Sequence, residues 1–349
     1  MPADLIQSAR SLKRRLDSAK AGLTRREFDW YSYDSLSNAF HVQQLLNEAK
    51  LILSEIVGPT PAADIGCGDG DFAFLLESLG FSVHAIDHPP SNNNGMQGVT
   101  ALTEALASAV EIYSIDIDGR FVLPADRYGA AFLLGVLYHL KNPFYALEAL
   151  SKQVDYCFLS TRVAAVLPGL NLPVRDCPVA YLLDENELNA DDSNFWILSE
   201  AGLRRLLHRT RWEVRAWFTA GGADCRAFCL ARSHYAMAHL ELLAGWHAPE
   251  EGGFRWTERS FSVRVPHGAA RMTLDFYLPD SRAIQLRAAV GSNDLEPQQY
   301  STPGRHRYTR TLPHTVGKIE FHLDKFLPPD DRDHRERGII VTSLEFERR

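Results

Sequence analysis

Three glycines alternate with other residues in one short segment, Asp64-Ile-Gly66-Cys-Gly68-Asp-Gly70. An apolar run precedes the segment and a helical pattern follows it, so the chain is predicted to turn here from a strand into a helix. Glycine suits such a turn, because a backbone without a Cβ bends tightly and lets a ligand approach the main chain. The segment is therefore a candidate ligand-binding loop.

The competing interpretation of this loop is the dinucleotide fingerprint G-x-G-x-x-G. Counted from Gly66, the third glycine of that fingerprint falls on Asp71. A carboxylate at a helix N-terminus repels a pyrophosphate, whereas Asp64, two residues before the first glycine, suits a ligand with an ammonium group. The loop favours a ligand that carries an amine over a diphosphate.

Acidic residues also end the next two predicted strands. Asp87 closes Val83-His-Ala-Ile-Asp, and Asp116 follows Tyr113-Ser-Ile. Ligands of open α/β sheets bind at the carboxyl ends of strands, near the point where the strand order reverses, so Asp64, Asp87 and Asp116 are predicted to surround one ligand. Each acid also has a plainer interpretation as a loop cap or a turn residue.

The pattern D-x-G-x-G-x-G resembles the first motif of class I S-adenosylmethionine-dependent methyltransferases, and the resemblance extends over roughly residues 35–233. It implies S-adenosylmethionine as cofactor, with Asp87 on the ribose hydroxyls and Asp116 near the adenine amine. The cofactor-binding residues implied in this way are Asp64, Gly66, Gly68, Gly70, Asp87, Asp116, Ile117 and Gly135.

A second informative segment is Gly135-Val-Leu-Tyr-His-Leu-Lys-Asn-Pro143. It is similar to the methyltransferase branch that contains the tRNA wobble-uridine carboxymethyltransferases, in which a histidine leaves the fourth strand beside the donor. His139 is the predicted general base, since a neutral imidazole accepts a proton near neutral pH; alternatively, it caps the next helix or packs against the ligand. Tyr138 is predicted to orient the acceptor. No metal ligand is predicted.

The elements that position these residues alternate between strand and helix, which predicts a doubly wound, Rossmann-like parallel sheet with right-handed crossovers. Two adjacent strands, Trp212–Ala220 and Cys225–Arg232, are separated by two glycines and are predicted to add an antiparallel hairpin at one edge. Ahead of the sheet, Asn38 is a candidate cap for one apolar helical stripe that runs from Val42 to Ile56.

From Gly245 onward the pattern changes to short alternating runs punctuated by proline and glycine, which predicts an all-β sandwich or jelly roll. The predicted domains are an N-terminal helical and aromatic lid (1–37), a methyltransferase domain (38–240) and an accessory β-sandwich (245–349). Segments of the last, among them Gly245-Trp-His-Ala-Pro-Glu-Glu and Arg335-Glu-Arg-Gly-Ile-Ile-Val, resemble β-sandwich modules attached to bacterial glycosyltransferases and other polysaccharide-related enzymes. Trp246 and Trp256 either stack on sugar rings or belong to its core.

A long connection, Arg162 to Leu198, is predicted to act as a lid or substrate loop. Together with aromatic residues of the N-terminal segment, this connection either lines the acceptor pocket or packs against the edge of the sheet. The residues concerned are Trp30, Tyr31, Tyr33, Arg175, Tyr181, Asp184, Glu185, Asn186, Asn194, Phe195 and Trp196.

The distribution of charge limits the class of acceptor that we expect. The formal net charge is −7, and residues 28–244 carry 14 basic against 26 acidic side chains, so only the stretch from Arg10 to Arg26 offers a basic footprint for RNA. We therefore expect O-methylation of a glycan or small molecule. A tRNA wobble-uridine enzyme and a non-catalytic carbohydrate-binding or scaffold protein remain the alternatives.

The chain is expected to be cytoplasmic. Its longest nearly apolar stretch, Tyr128 to Leu140, is shorter than the roughly 18 residues of a membrane span. The start MPADLIQ lacks the basic and apolar regions of a signal peptide. Five cysteines, an odd number, favour reduced thiols, and Cys225 and Cys229 are interpreted as strand residues rather than as a metal pair.

Overall fold

The computed structural model describes residues 5–24, 27–167, 172–187, 191–221, 225–234, 240–250, 254–266, 268–313 and 317–348. The chain divides into two compact units, Met1–Ser233 and His234–Arg349. Each unit is built around its own set of buried apolar side chains. The finer domain limits predicted from the sequence stay a prediction.

The first unit contains the helices of the described chain. They are α1 (Leu5–Gly22), α2 (Asn38–Ala49), α3 (Leu53–Val57), α4 (Asp71–Ser78), α5 (Gln97–Leu106), α6 (Pro143–Gln153) and α7 (Glu200–Arg209).

The strands of the first unit alternate with these helices. They are β1 (Ala62–Ile65), β2 (Val83–Asp87), β3 (Glu111–Ser114), β4 (Tyr128–Leu134), β5 (Val154–Ala164), β6 (Val166–Leu167), β7 (Leu172–Pro173), β8 (Ala180–Leu182), β9 (Trp196–Ser199), β10 (Trp212–Ala220) and β11 (Arg226–Ser233).

The main sheet has the strand order β10-β11-β5-β4-β1-β2-β3. Strands β5, β4, β1, β2 and β3 are parallel, and the hairpin of β10 and β11 joins the edge antiparallel to β5. The order reverses between β1 and β4, where successive crossovers leave on opposite sides and open a crevice at the carboxyl ends. All four residues of β1 are buried, as expected for a strand covered on both faces. The predicted sheet with its hairpin edge is confirmed.

The apolar stripe from Val42 to Ile56 is divided between two helices. Lys50 adopts a left-handed conformation with φ 56° and ends α2, and α3 begins three residues later at Leu53. Side chains on both sides of the break stay buried, so the pattern predicted the buried face but not the interruption. Asn38 does not cap α2 with its side chain; its amide donates to the carbonyl of Ser35.

The second unit is antiparallel. Its strands are β12 (Leu242–Trp246), β13 (Arg255–Arg264), β14 (Ala269–Leu278), β15 (Ile284–Val290), β16 (Asn293–Tyr300), β17 (Gly304–Thr311), β18 (Lys318–Leu323) and β19 (Ile340–Arg348).

Strand β13 joins the two layers of this unit. Its first residues, Arg255 and Trp256, pair with β19, whereas Ser260–Arg264 pairs with β18. One layer continues through β15 and β16 and the other through β14 and β17, with apolar side chains of both between them. Trp246 lies edge-to-face on Phe261, with ring centroids 5.0 Å apart. The predicted all-β module is confirmed.

Among the residues that the structure describes, no helix is both long and apolar enough to cross a membrane.

Candidate active site

The glycine loop connects β1 to α4 at the carboxyl edge of the sheet. Gly66, Gly68 and Gly70 all have positive φ, at 73°, 59° and 84°. A Cβ on Gly66 would lie 2.4 Å from Cγ2 of Val136, and one on Gly70 would lie 2.6 Å from Cγ2 of Val99. Backbone conformation and close packing both require glycine here, as the sequence predicted.

Asp64, on β1 directly before this loop, has a buried carboxylate. The residue is only 4% exposed, and its Oδ2 has no hydrogen-bond partner among the described residues. Burial, and next the charge of Asp87, raise the pKa of Asp64 to about 7, while a hydrogen bond from the Ala73 backbone acts in the opposite direction. A buried carboxylate oxygen without a donor is costly, and a cationic donor would satisfy it.

Asp87 ends β2 and faces the same loop. Its Oδ2 accepts hydrogen bonds from the backbone N–H of Gly68 at 2.9 Å and from Nδ2 of Asn92 at 2.8 Å. Its Oδ1 accepts from the N–H of His88 at 2.8 Å. The carboxylate is thereby held in one orientation at the mouth of the loop, and Asn92 is a neighbour that sequence reasoning missed.

Unlike Asp87, the third predicted acid, Asp116, forms no hydrogen bond with the described residues of the glycine loop. Asp116 is exposed, and its Oδ1 accepts from the backbone N–H of Asp118 within its own turn. No hydrogen bond among the described residues joins Asp116 to the glycine loop, whereas Ile117 is buried at 7% exposure.

The connection from this turn to the β4 exit is made instead by Asp118. Its carboxylate accepts from the backbone N–H groups of Lys141 and Asn142, at 2.9 and 2.6 Å. A second acid two residues after Asp116 was the signal that the sequence offered for this connection.

Strand β4 ends at Leu134, and the chain then leaves the sheet. The apolar stretch continues to Leu140, but Gly135 has φ 83° and Leu137–His139 forms a short 3-10 turn. The N–H of Gly135 donates to the carbonyl of Ser160 on β5, 2.9 Å away. This early exit carries Tyr138 and His139 over the carboxyl edge of the sheet.

His139 is held by the connection that follows β5. Its Nδ1 lies 3.0 Å from the carbonyl oxygen of Ser193 and 2.9 Å from the Ser193 hydroxyl. A carbonyl only accepts, so Nδ1 carries the proton and Nε2 of the neutral ring is the basic nitrogen. Ser193 Oγ in turn donates to Asp191, 2.6 Å away.

Burial is the largest influence on His139, and it lowers the pKa of the imidazole. Arg226 and Arg162 lower the pKa further, while the Ser193 carbonyl and Asp191 act in the opposite direction. The ring is therefore neutral at pH 7, the state that a general base requires.

Tyr138 lies between two arginines. The guanidinium carbon of Arg162 is 5.9 Å from the centre of its ring and that of Arg226 is 5.5 Å away. Nη2 of Arg226 donates to the Tyr138 hydroxyl over 3.4 Å. Both arginines were missed as site residues, although each is a basic residue at a predicted strand end.

The N-terminal segment covers the glycine loop. A Cβ on Gly68 would lie 3.2 Å from the ring of Tyr31, whose backbone N–H donates to Asp69. Lys20 on α1 pairs with Asp71 at 3.0 Å and lies 5.4 Å from the ring centre of Trp30.

Tyr31 thus lies against the loop, and burial, followed by the charges of Tyr138, Tyr33 and Asp87, raises the pKa of its hydroxyl.

Among the described residues of the long connection, both ends reach the β4 exit, with Arg162 lying over the ring of Tyr138 at one end. Phe195 donates its backbone N–H to the carbonyl of Tyr138 at 2.9 Å, and Nε1 of Trp196 donates to the carbonyl of Lys141. Arg175 instead pairs with Glu200, and the Tyr181 hydroxyl donates to Glu187.

Comparison with known families identifies the first unit. Residues 54–216 match the family model described as a methyltransferase domain. Residues 54–216 form a methyltransferase domain. The predicted enzyme class is confirmed, and with it the predicted use of S-adenosylmethionine. The glycine loop, Asp87 and His139 all belong to this methyltransferase domain. A search of curated protein sequences finds no match.

Several solved structures are similar to the chain. The N-terminal domain of EvdMO1 with S-adenosylhomocysteine (SAH) bound is 18% identical, with 63% of this chain and 96% of that chain covered and a TM-score of 0.42. Complete EvdMO1 is 14% identical over 95% of this chain and 96% of that chain, with a TM-score of 0.44. The mitomycin 7-O-methyltransferase MmcR is 18% identical over 57% of each chain, with a TM-score of 0.37.

Proposed function

We propose that the chain transfers the methyl group of S-adenosylmethionine to a hydroxyl oxygen of a small-molecule or glycan acceptor. The observation that carries the proposal is the unsatisfied, buried carboxylate oxygen of Asp64 directly before a glycine loop, with a neutral His139 at the exit of β4. The donor supplies an electrophilic methyl group on a sulfonium.

The residues of the loop fit the donor. An ammonium group placed against Asp64 would satisfy its Oδ2 and favour the charged carboxylate. Asp87 retains acceptor capacity beside its three donors, and its carboxylate suits ribose hydroxyls. The positive φ of Gly66 and Gly68 shapes the loop so that the N–H of Gly68 meets Asp87.

His139 has the tautomer and charge that the reaction needs. As the acceptor oxygen forms its bond to the methyl carbon, the S–C bond breaks and the hydroxyl proton passes to Nε2 of His139, while Nδ1–H stays on the Ser193 carbonyl. Positioning of the two reactants supplies most of the rate enhancement.

The test is calorimetric titration of the full chain with two ligands, S-adenosylmethionine and 5′-methylthioadenosine, which lacks the amino-acid part. Asp64→Asn is expected to weaken S-adenosylmethionine about 10-fold or more, since a hydrogen bond to a charged group contributes roughly 1.5–3 kcal/mol, and to leave 5′-methylthioadenosine unchanged. Asp87→Ala is expected to weaken both ligands, because both carry the ribose.

Asp294→Asn is the matched control, because Asp294 is an exposed acid in the second unit. It is expected to bind both ligands as the wild type does. Absence of S-adenosylmethionine binding by the wild type at millimolar concentration would contradict the proposal and favour a non-catalytic carbohydrate-binding or scaffold role. Binding of only the carboxylated donor would favour a relative of the tRNA-modifying enzymes.

A further inference from the structure

Two arginines occupy directly opposed positions on neighbouring strands. Arg226 on β11 is the register partner of Arg162 on β5. Directly opposed residues of an antiparallel pair project from the same face of a sheet. An oxyanion placed between the two guanidinium groups would be attracted by both of them.

Both arginines reach towards the β4 exit. Their guanidinium carbons lie 5.9 and 5.5 Å from the ring centre of Tyr138, and Arg226 donates to the Tyr138 hydroxyl. A Cβ on Gly135 would lie 3.7 Å from Nη1 of Arg226. Arg226 therefore extends from the hairpin edge across to the strand on which the acceptor must meet the methyl group.

The same cluster adjoins the general base. Arg226 and Arg162 both lower the pKa of His139, while the Ser193 carbonyl and Asp191 raise it. The rings of Tyr138 and His139 lie 4.2 Å apart. A group bound between the arginines would lie beside the hydroxyl that His139 deprotonates.

We propose that Arg162, Arg226 and the Tyr138 hydroxyl bind an anionic group of the acceptor, a carboxylate, phosphate or sulfate. Guanidinium groups bind such oxyanions through paired, charge-assisted hydrogen bonds. The acceptor is then an acidic small molecule or an acidic sugar, held by its anion with a neighbouring hydroxyl at His139. This inference rests on the proposed function, which defines the acceptor side of the site.

The first test uses inorganic sulfate as the probe and the His139 imidazole as the reporter. The full chain is labelled at histidine, His139 is assigned by comparison with His139→Gln, and its pKa is measured by NMR in sodium sulfate and in sodium chloride of equal ionic strength. Sulfate at about 100 mM, enough to fill a site with a millimolar dissociation constant, is expected to raise the pKa of His139.

Arg162→Gln and Arg226→Gln are each expected to raise the pKa of His139 without sulfate and to reduce the response to sulfate. Arg205→Gln, an exposed position on α7, is the control and keeps the wild-type response. The same His139 pKa in sulfate and chloride for the wild type would overturn the proposal.

The second test separates this inference from the proposed function. S-adenosylmethionine is expected to bind both arginine variants within about 2-fold of the wild type, because the cluster lies on the acceptor side. If the wild type prefers carboxylated S-adenosylmethionine and the arginine variants lose that preference, the anion belongs to the donor and the acceptor assignment is overturned. Failure of the wild type to bind either donor would refute the proposed function even if sulfate still shifts the pKa.

Discussion

Replacement of Gly66 by alanine tests the close packing of the glycine loop. The φ of 73° costs a residue with a Cβ roughly 1–2 kcal/mol. The new Cβ would also lie 2.4 Å from Cγ2 of Val136, far inside the 3.5–4.0 Å of an ordinary carbon contact. Valine is stiff about χ1 and does not turn aside easily, so overpacking adds about 1–3 kcal/mol.

Two comparisons isolate the steric part of this cost. Gly80 has φ 91°, and a Cβ added there would meet no heavy atom of the described residues within 4 Å, so Gly80→Ala reports backbone strain alone. In the double variant Gly66→Ala with Val136→Ala the contacting methyl is gone. The coupling energy between the two substitutions is expected to be about 1–2 kcal/mol, favouring the double variant.

The assay is a urea titration of the full chain, with hydrogen exchange of peptides from Met1–Ser233 to report the free energy of unfolding of the first unit. Because the loop packs against the β4 exit, Gly66→Ala is also expected to abolish binding of S-adenosylmethionine. If Gly66→Ala destabilises the unit no more than Gly80→Ala does, with a coupling energy below about 0.5 kcal/mol, the packing argument is wrong.

Three further predictions concern charge. His139 is expected to titrate below pH 6.5 by NMR, and Asp191→Asn to lower its pKa further, because Asp191 favours the imidazolium; a rise would contradict this. In the folded chain the pKa of Asp64 is raised to about 7, above the ordinary value of an aspartate in the unfolded chain. The protonated carboxyl therefore stabilises the folded chain at low pH, and this contribution to the free energy of unfolding is lost between roughly pH 4 and 7. In urea titrations, the free energy of unfolding of Asp64→Asn should therefore rise relative to that of the wild type as the pH increases across this range. A difference between the two that does not change with pH would contradict the raised pKa of Asp64. Lys20→Met removes the cation paired with Asp71, so hydrogen exchange of residues 28–33 is expected to accelerate, whereas exchange in α6 stays unchanged.

Several elements were predictable because their signals are local. The bounds of β10 follow from a run that ends at glycine, and the structure places this strand at the predicted residues, Trp212–Ala220. Asn293–Tyr300 was missed: its side chains are mostly exposed and polar, and it is a strand because it pairs with β15. Leu242–Trp246 was likewise missed, since its burial does not alternate and its pairing with β13 shifts register.

By itself the sequence predicted the residues of the candidate donor side of the site. Asp64, the three glycines and Asp87 belong to consecutive elements of a parallel sheet, and the local spacing that makes each element also brings them to one edge. The tertiary structure decided the arrangement of the residues that we propose for the acceptor side. Arg162 meets Arg226 only through the antiparallel register of β11 on β5, and His139 acquires its tautomer from a carbonyl 54 residues further along the chain. Such contacts depend on how distant segments pack, which no local pattern encodes.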